Sequence, residues 1–283
     1  MQRQVVDSVI AADGSRIGYR TFGAGPALVL LHGGLQASQN FVRLAELLSD
    51  AFTVHVPDRR GRGMSLPCNA IGLQREVEDV EALLSKTGAR RVFGLSSGAI
   101  LALQAAATLP AIEKLAVYEP PLPIEGYRAT FDEMAHGYEA AMQRNDLARA
   151  MLTILKGTGG ATLLRLVPNA VLSPVFGYLL NAQAKRVQNG DASIASLIAA
   201  MHNDLQIVKD IEAAPLQPFS AIRADTLLLG GSLSPQFLKA ALDALASVLP
   251  RAARIELPKA DHIAADNVGR PEQVAGELRS FFG

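Results

Sequence analysis

Gly94-Leu95-Ser96-Ser97-Gly98 sets a serine between two glycines at the spacing G-x-S-x-G. An apolar run, Arg91-Val92-Phe93, precedes it, and an Ala/Leu-rich helical run opens near Ala99. Strand, sharp turn and helix in that order make a nucleophile elbow, in which the serine hydroxyl projects from a strained turn. A side chain at Gly94 or Gly98 would collide with a neighbouring strand or helix. Only Ser96 fits the register, because Leu95 stands where Ser97 would need a glycine. On five residues alone, a glycine-rich turn capping a helix explains the run as well, so the rest of the chain decides. A serine hydroxyl is too weak an acid to attack a carbonyl unaided and needs a base. The chain has five histidines: His32, His55, His136, His202 and His262. His262 follows Leu257-Pro258-Lys259-Ala260-Asp261, a loop just past a strand. His55 lies inside a strand, and His136 and His202 lie in helical stretches where packing or solvation is the default role.

The elements that must position these residues are legible in the hydropathy pattern. Residues 5–11 and 16–22 read as strands around an Asp13-Gly14 turn. Residues 27–31 form a continuous apolar run, as expected of a strand buried on both faces. A helix at 39–49, a strand at 52–56 and an amphipathic helix at 73–86, with Gly88 as its C-cap, lead to the elbow. Its helix runs to Leu109, and a strand follows at 114–118. Glu119-Pro120-Pro121-Leu122-Pro123 then leaves the sheet, and residues 124–214 show helical periodicity. Pro215-Leu216-Gln217-Pro218 marks the return. A strand at 226–230, a helix at 235–249, a strand at 254–257 and a helix at 271–282 complete the chain. Alternating strands and helices imply an α/β fold: a mostly parallel, doubly wound sheet with helices on both faces. Residues 1–121 and 218–283 form its core, and residues 122–217 are an inserted helical cap. In such sheets the site lies outside the C-terminal ends of the strands.

Four motifs now stand in order: His32-Gly33-Gly34, Pro57-Asp58-Arg59-Arg60-Gly61-Arg62-Gly63-Met64-Ser65, the elbow, and Asp261-His262. In these the chain resembles the α/β-hydrolase fold superfamily over nearly its whole length outside the cap. The resemblance makes Ser96 the nucleophile and His262 the catalytic base, with His32 structural. It also implies an oxyanion hole from the backbone N–H groups of Ser97 and Gly34. The acid departs from the commonest pattern of the superfamily, which puts an Asp where this chain has Ser234. Ser234-Pro235 instead reads as an N-cap with proline at the first helical position. Glu119, at the end of the strand beside the elbow strand, is the preferred acid; it would hold His262 in the right tautomer. This placement resembles the fungal zearalenone lactonases, as does the Ser-Ser-Gly-Ala elbow. Asp58 is the rival, although Arg59, Arg60 and Arg62 suggest an ion-paired structural loop. Asp261 adjoins His262 in sequence, so its side chain should point elsewhere.

The expected function is a serine hydrolase of a carboxylic ester or lactone, acting on a hydrophobic small molecule through an acyl-enzyme on Ser96. The alternatives are a carbon–carbon bond hydrolase or perhydrolase with the same triad, or a ligand receptor on this scaffold. The sequence shows no Walker loop, no zinc-ligand spacing and no dinucleotide fingerprint, so no metal or organic cofactor is expected. Lys+Arg and Asp+Glu balance at 27 each, which disfavours nucleic acid and acidic membranes as partners. The single cysteine, Cys68, lies in a Pro/Asn loop and reads as an incidental thiol. With no internal disulfide, no apolar core in the first residues and no clear membrane span, the expected location is cytoplasmic. A homo-oligomer is compatible with the sequence. The cap residues Phe131, Met134, Tyr138, Met142, Met151, Leu152, Leu155, Phe176, Tyr178 and Met201 are mostly apolar, suiting an apolar pocket.

Overall fold

The computed structural model describes residues 4–124, 128–158, 167–184, 187–188, 190–212 and 216–283. The first three residues and the expected return at Ala214 and Pro215 lie outside them. Strands β1 (Val5–Ile10), β2 (Arg16–Phe22), β3 (Ala27–Leu31), β4 (Thr53–Pro57), β5 (Arg91–Leu95), β6 (Lys114–Tyr118), β7 (Asp225–Gly231) and β8 (Ala252–Leu257) form one sheet. Their spatial order is β1-β2-β4-β3-β5-β6-β7-β8. The β1–β2 hairpin and the β2–β4 pair are antiparallel, and every pair from β4 to β8 is parallel.

The unbroken apolar runs follow from helices on both faces. In β3, Val29 and Leu31 turn to one face, toward α2 (Leu73–Thr87), α3 (Ser97–Thr108) and α8 (Gln236–Val248). Leu28 and Leu30 turn to the other, toward α1 (Val42–Leu48) and α9 (Pro271–Phe282). Side chains alternate across a strand, so a strand covered on both sides presents mostly apolar residues to each face. α2 ends where Gly88 takes a left-handed φ of 68° and returns its N–H to Leu84. At α8 the expected serine cap is absent. Pro235 is the cap residue, and the buried Ser234 hydroxyl has no hydrogen-bond partner among the described residues.

Between β6 and β7 the described chain is helical: α4 (Arg128–Gln143), α5 (Leu147–Thr158), α6 (Asn169–Ala184) and α7 (Ile194–Glu212). These helices share a small core around Ala135, Tyr138, Ile154, Ile198 and Leu205. α7 also enters the main core through Ile207, Val208 and Ile211. No described helix is long and apolar enough to cross a membrane.

A buried charge cluster fixes α7 to the sheet. Asp204 of α7 accepts from Arg59 at 2.9 Å and pairs with Arg62 through its other oxygen. Arg59 also pairs with Glu76 of α2 at 2.6 Å. All four side chains are nearly inaccessible, and two cations meet two anions. Burial alone would raise the Asp204 pKa, but Arg62 and Arg59 outweigh it and hold the carboxyl far below its usual range. Arg60 is occupied separately by Asp13 and Asp79. The arginine loop is therefore structural, but Asp58 is not ion-paired within it. Its two carboxylate oxygens accept the Ser38 and Met64 N–H groups at 2.7 and 2.9 Å.

Removing one partner from a buried, neutral cluster leaves an uncompensated charge, which costs about 3–5 kcal/mol. Asp204→Ala should lose that much in urea unfolding; a loss below about 1 kcal/mol would show that the cluster does not hold α7. A second prediction concerns His55, on β4. Burial depresses its pKa from 6.5 to about 4. The unfolded chain then binds a proton that the folded chain refuses, so stability falls as pH falls from about 6.5 and levels off near 4. The slope from this group approaches about 1.4 kcal/mol per pH unit. His55→Gln should flatten that part of the profile, and an unchanged slope would contradict the assignment.

Candidate active site

The C-terminal ends of β3, β5, β6, β7 and β8 converge on one edge, and each contributes a loop to the site. Leu95, the last residue of β5, pairs in register with Tyr118, the last of β6, and Tyr118 pairs with Leu229 of β7. Ladder bonds continue one step further. Ser96 donates its N–H to the Tyr118 carbonyl at 2.9 Å, and Glu119 donates to that of Leu229 at 3.1 Å. Ser96 and Glu119 thus leave neighbouring strands at the same level.

Both residues are strained. Ser96 has φ 56° and ψ −123°, and Glu119 has φ 49°. Leu35 and Lys259, in the loops after β3 and β8, also have positive φ. Such conformations cost roughly 1–3 kcal/mol each and persist only where the surroundings impose them. At the elbow the imposing contacts are backbone atoms. A Cβ on Gly94 would overlap the Gly98 carbonyl, and one on Gly98 would overlap the carbonyls of Leu31 and His32.

Glu119 is fully buried. Its Oε1 accepts the Gly231 N–H at 2.6 Å, and its Oε2 lies 2.8 Å from His262 Nδ1. His262 Nε2 lies 3.1 Å from Ser96 Oγ. A carboxylate only accepts, so Nδ1 carries the ring proton and Nε2 presents a lone pair to the serine hydroxyl. The sequence-predicted Ser96, His262 and Glu119 therefore form one continuous hydrogen-bonded chain. Tyr118 adds to it from the same strand: its hydroxyl donates to the Asp261 carbonyl at 2.8 Å, fixing the histidine loop. Burial, reinforced by the Glu119 and Asp261 charges, keeps that phenol protonated and able to donate. The Asp261 carboxylate turns away and accepts the Ile263 N–H at 3.2 Å. Asp58 spends its two oxygens on the Ser38 and Met64 amides and is not bonded to His262 among the described residues.

Gly34 and Ser97 stand with Ser96 in the wall of one cavity. Among the described residues neither N–H has a protein acceptor, so both are free to donate. Ser97 is the first residue of α3, where the helix dipole favours negative charge. The remaining histidines are elsewhere. His32 is buried, and its Nε2 accepts the Arg59 N–H at 3.2 Å. Burial, with Arg62 and Arg59 beside it, depresses its pKa well below the usual value. His136 and His202 are exposed on α4 and α7. Of the apolar residues singled out in the helical segment, Phe131 and Met134 face one cavity beside Ser96. Met151 and Leu155 face another, and Met201 faces both. Tyr138 and Leu152 are buried, and Tyr178 is 74% exposed.

Sequence reading missed Asp204. Its Oδ1 accepts the Ser97 hydroxyl at 2.6 Å while Arg59 donates to that same hydroxyl at 3.0 Å. Arg62 in turn donates to the Gly33 carbonyl at 3.1 Å. The buried charge cluster thus grips both residues whose neighbouring N–H groups border Ser96. The available signal was one acidic residue within the apolar stripe Met201, Leu205, Val208 of α7. Among the described residues no group of His, Cys, Asp or Glu side chains is arranged to hold a metal ion.

Comparison with known proteins agrees with this architecture. The hydrolase YraK of Bacillus subtilis (strain 168) is 32% identical over 123 residues, which is 42% of this chain and 45% of that protein. The pimeloyl-[acyl-carrier protein] methyl ester esterase of Stenotrophomonas maltophilia (strain K279a) is 26% identical over 262 residues, 92% of this chain and 93% of the esterase. The crystal structure of an alpha/beta hydrolase from Sphaerobacter thermophilus DSM 20745 superposes with a TM-score of 0.73 at 28% identity. That match covers 98% of this chain and 100% of the other. Residues 28–277 match the sequence pattern of one family from the third strand to the last helix, and the chain belongs to it: the alpha/beta hydrolase family.

Proposed function

We propose that the chain is a serine hydrolase that cleaves carboxylic esters or lactones of hydrophobic small molecules through an acyl-enzyme on Ser96. The observation that carries this reading is the chain Glu119–His262–Ser96, at 2.8 and 3.1 Å, opening into a cavity walled mainly by apolar groups. The esterase relative favours an ester over a carbon–carbon bond as the group cleaved. In this reading residues 122–217 act as a cap over Ser96.

The chemistry runs in two halves. Ser96 Oγ attacks the carbonyl carbon as His262 Nε2 takes its proton, and the carbonyl oxygen becomes an oxyanion facing the Ser97 and Gly34 N–H groups. Collapse breaks the bond to the leaving alkoxide, which receives that proton from His262. Water then attacks the acyl-enzyme, giving a proton to His262 and releasing the acid as Ser96 regains its hydrogen. Glu119 stabilises the imidazolium in both halves by its charge and by fixing the tautomer.

Steady-state kinetics on p-nitrophenyl esters tests this directly. Ser96→Ala should abolish turnover while leaving the unfolding midpoint nearly unchanged, because it deletes one oxygen and keeps the elbow. Glu119→Gln should lower kcat by on the order of 10²- to 10⁴-fold. Asp58→Asn, measured as a folded protein, should keep kcat within a fewfold of the parent. A crippling Asp58→Asn beside a silent Glu119→Gln would overturn the choice of acid.

A further inference from the structure

Two cavities of unequal size meet at Ser96 and Gly34. The narrow one, about 60 Å³, is walled by Leu122, Phe131, Met134, Val208 and Phe237 among others. The wide one, about 450 Å³, includes His262, with Gln36, Asn40, Met151, Leu155 and Asp266 in its wall. His262 lines only the wide cavity, and Ser97 lines only the narrow one. The space open to a water-sized group is thus several-fold smaller in the narrow cavity than in the wide one.

The reaction geometry assigns the two arms. The tetrahedral carbon on Ser96 carries an oxyanion, an acyl chain and an alkoxy group. The alkoxy oxygen must come within hydrogen-bond reach of His262 Nε2 to receive its proton, so it points into the wide cavity. The oxyanion faces the Gly34 and Ser97 N–H groups. The acyl chain takes the remaining direction, into the narrow cavity.

Charge restricts the substrate further. Among the described residues neither cavity is lined by Lys or Arg. Arg59 and Arg62, the nearest buried cations on the Ser97 side, are neutralised by Glu76 and Asp204. Asp204 itself borders the narrow cavity, and Asp266 the wide one. Asp266 is already satisfied by Gln36, Asn40 and the Val268 N–H at 2.7, 3.0 and 3.1 Å. Among the described residues, an anionic group would meet carboxylates and no counter-charge in either arm.

We infer that the preferred substrate is an uncharged ester with a short, apolar acyl group and a larger leaving alcohol. This rests on the function proposed above. The test is a pair of isomers in which the two halves are exchanged, phenethyl acetate and ethyl phenylacetate, followed by acid release at constant pH. The expected kcat/KM favours phenethyl acetate by at least about 10-fold, since a pocket discriminates by that much for one misfitting methylene. Met134→Ala and Phe131→Ala, which widen the narrow arm, should each shift the ratio toward ethyl phenylacetate by at least about 5-fold. Equal rates, or preference for ethyl phenylacetate, would overturn the inference. So would an unchanged ratio in both folded variants, or turnover of neither isomer by protein whose Ser96 reacts with a fluorophosphonate. Failure of Ser96 to react would instead overturn the hydrolase function on which the inference rests.

Discussion

The Glu119 carboxylate sits at zero exposure on the sheet edge, held by two contacts: the Gly231 N–H on one oxygen and His262 on the other. A charge taken out of water is costly unless such bonds meet it, and much of the neighbouring chain is shaped to supply them. β6 must run beside β7 for Gly231 to reach it. The backbone at Glu119 must take a positive φ to turn the side chain under the β7 loop. A Cβ at Gly230 would stand 3.2 Å from Glu119 Oε1 and 2.7 Å from a Leu242 methyl, so both side chains would have to shift to admit it. The loop after β8 must then bring His262 over the carboxylate, and the Tyr118 hydroxyl anchors that loop from the same strand. Glu119 and the Tyr118 that anchors the His262 loop are consecutive residues, which ties the position of His262 to the register of a single strand.

A second set of buried charges does comparable work on the other side of Ser96. Arg59, Arg62, Glu76 and Asp204 join the loop after β4, helix α2 and helix α7 into one neutral unit. The unit also bonds the Ser97 hydroxyl and the Gly33 carbonyl. In the proposed chemistry the elbow is thus braced by an acid–base pair toward β8 and by an ion cluster toward α7. Ser96 and Glu119, both at positive φ, each meet one of these braces. Strain of that kind needs surroundings rigid enough to impose it, and close-packed ions and strands provide them. The helical segment contributes directly here, because its Asp204 bonds the Ser97 hydroxyl beside Ser96.

The order of strands and helices was readable because each buried strand is a continuous apolar run and each helix keeps its own period. The strand ending at Tyr118 was expected beside the elbow strand, so Ser96 and Glu119 were expected at the same edge of the sheet, and the two strands are paired there. What the sequence did not disclose depends on partners far apart in the chain. Arg59 and Asp204 are separated by 145 positions, and no local pattern links them. The arginine loop was read correctly as structural, yet its counter-ions were misassigned. Asp58, adjacent in sequence, bonds backbone amides instead. The cap of α8 failed for a related reason: Ser-Pro suits a helix start by local rule, but the backbone places Pro235 at the cap and leaves the Ser234 hydroxyl without a partner among the described residues. The unequal cavities arise where helices from distant parts of the chain meet, and that is not encoded locally.

In the proposed chemistry Ser96 is a nucleophile made reactive by a histidine that Glu119 holds in place. The most direct measurement is the rate of covalent labelling by a fluorophosphonate, mapped by mass spectrometry of the peptides, in the parent and in Glu119→Gln and His262→Ala. Stoichiometric modification at Ser96 alone is expected, slowed strongly in both variants. Labelling elsewhere, none at all, or equal rates in all three proteins would contradict it.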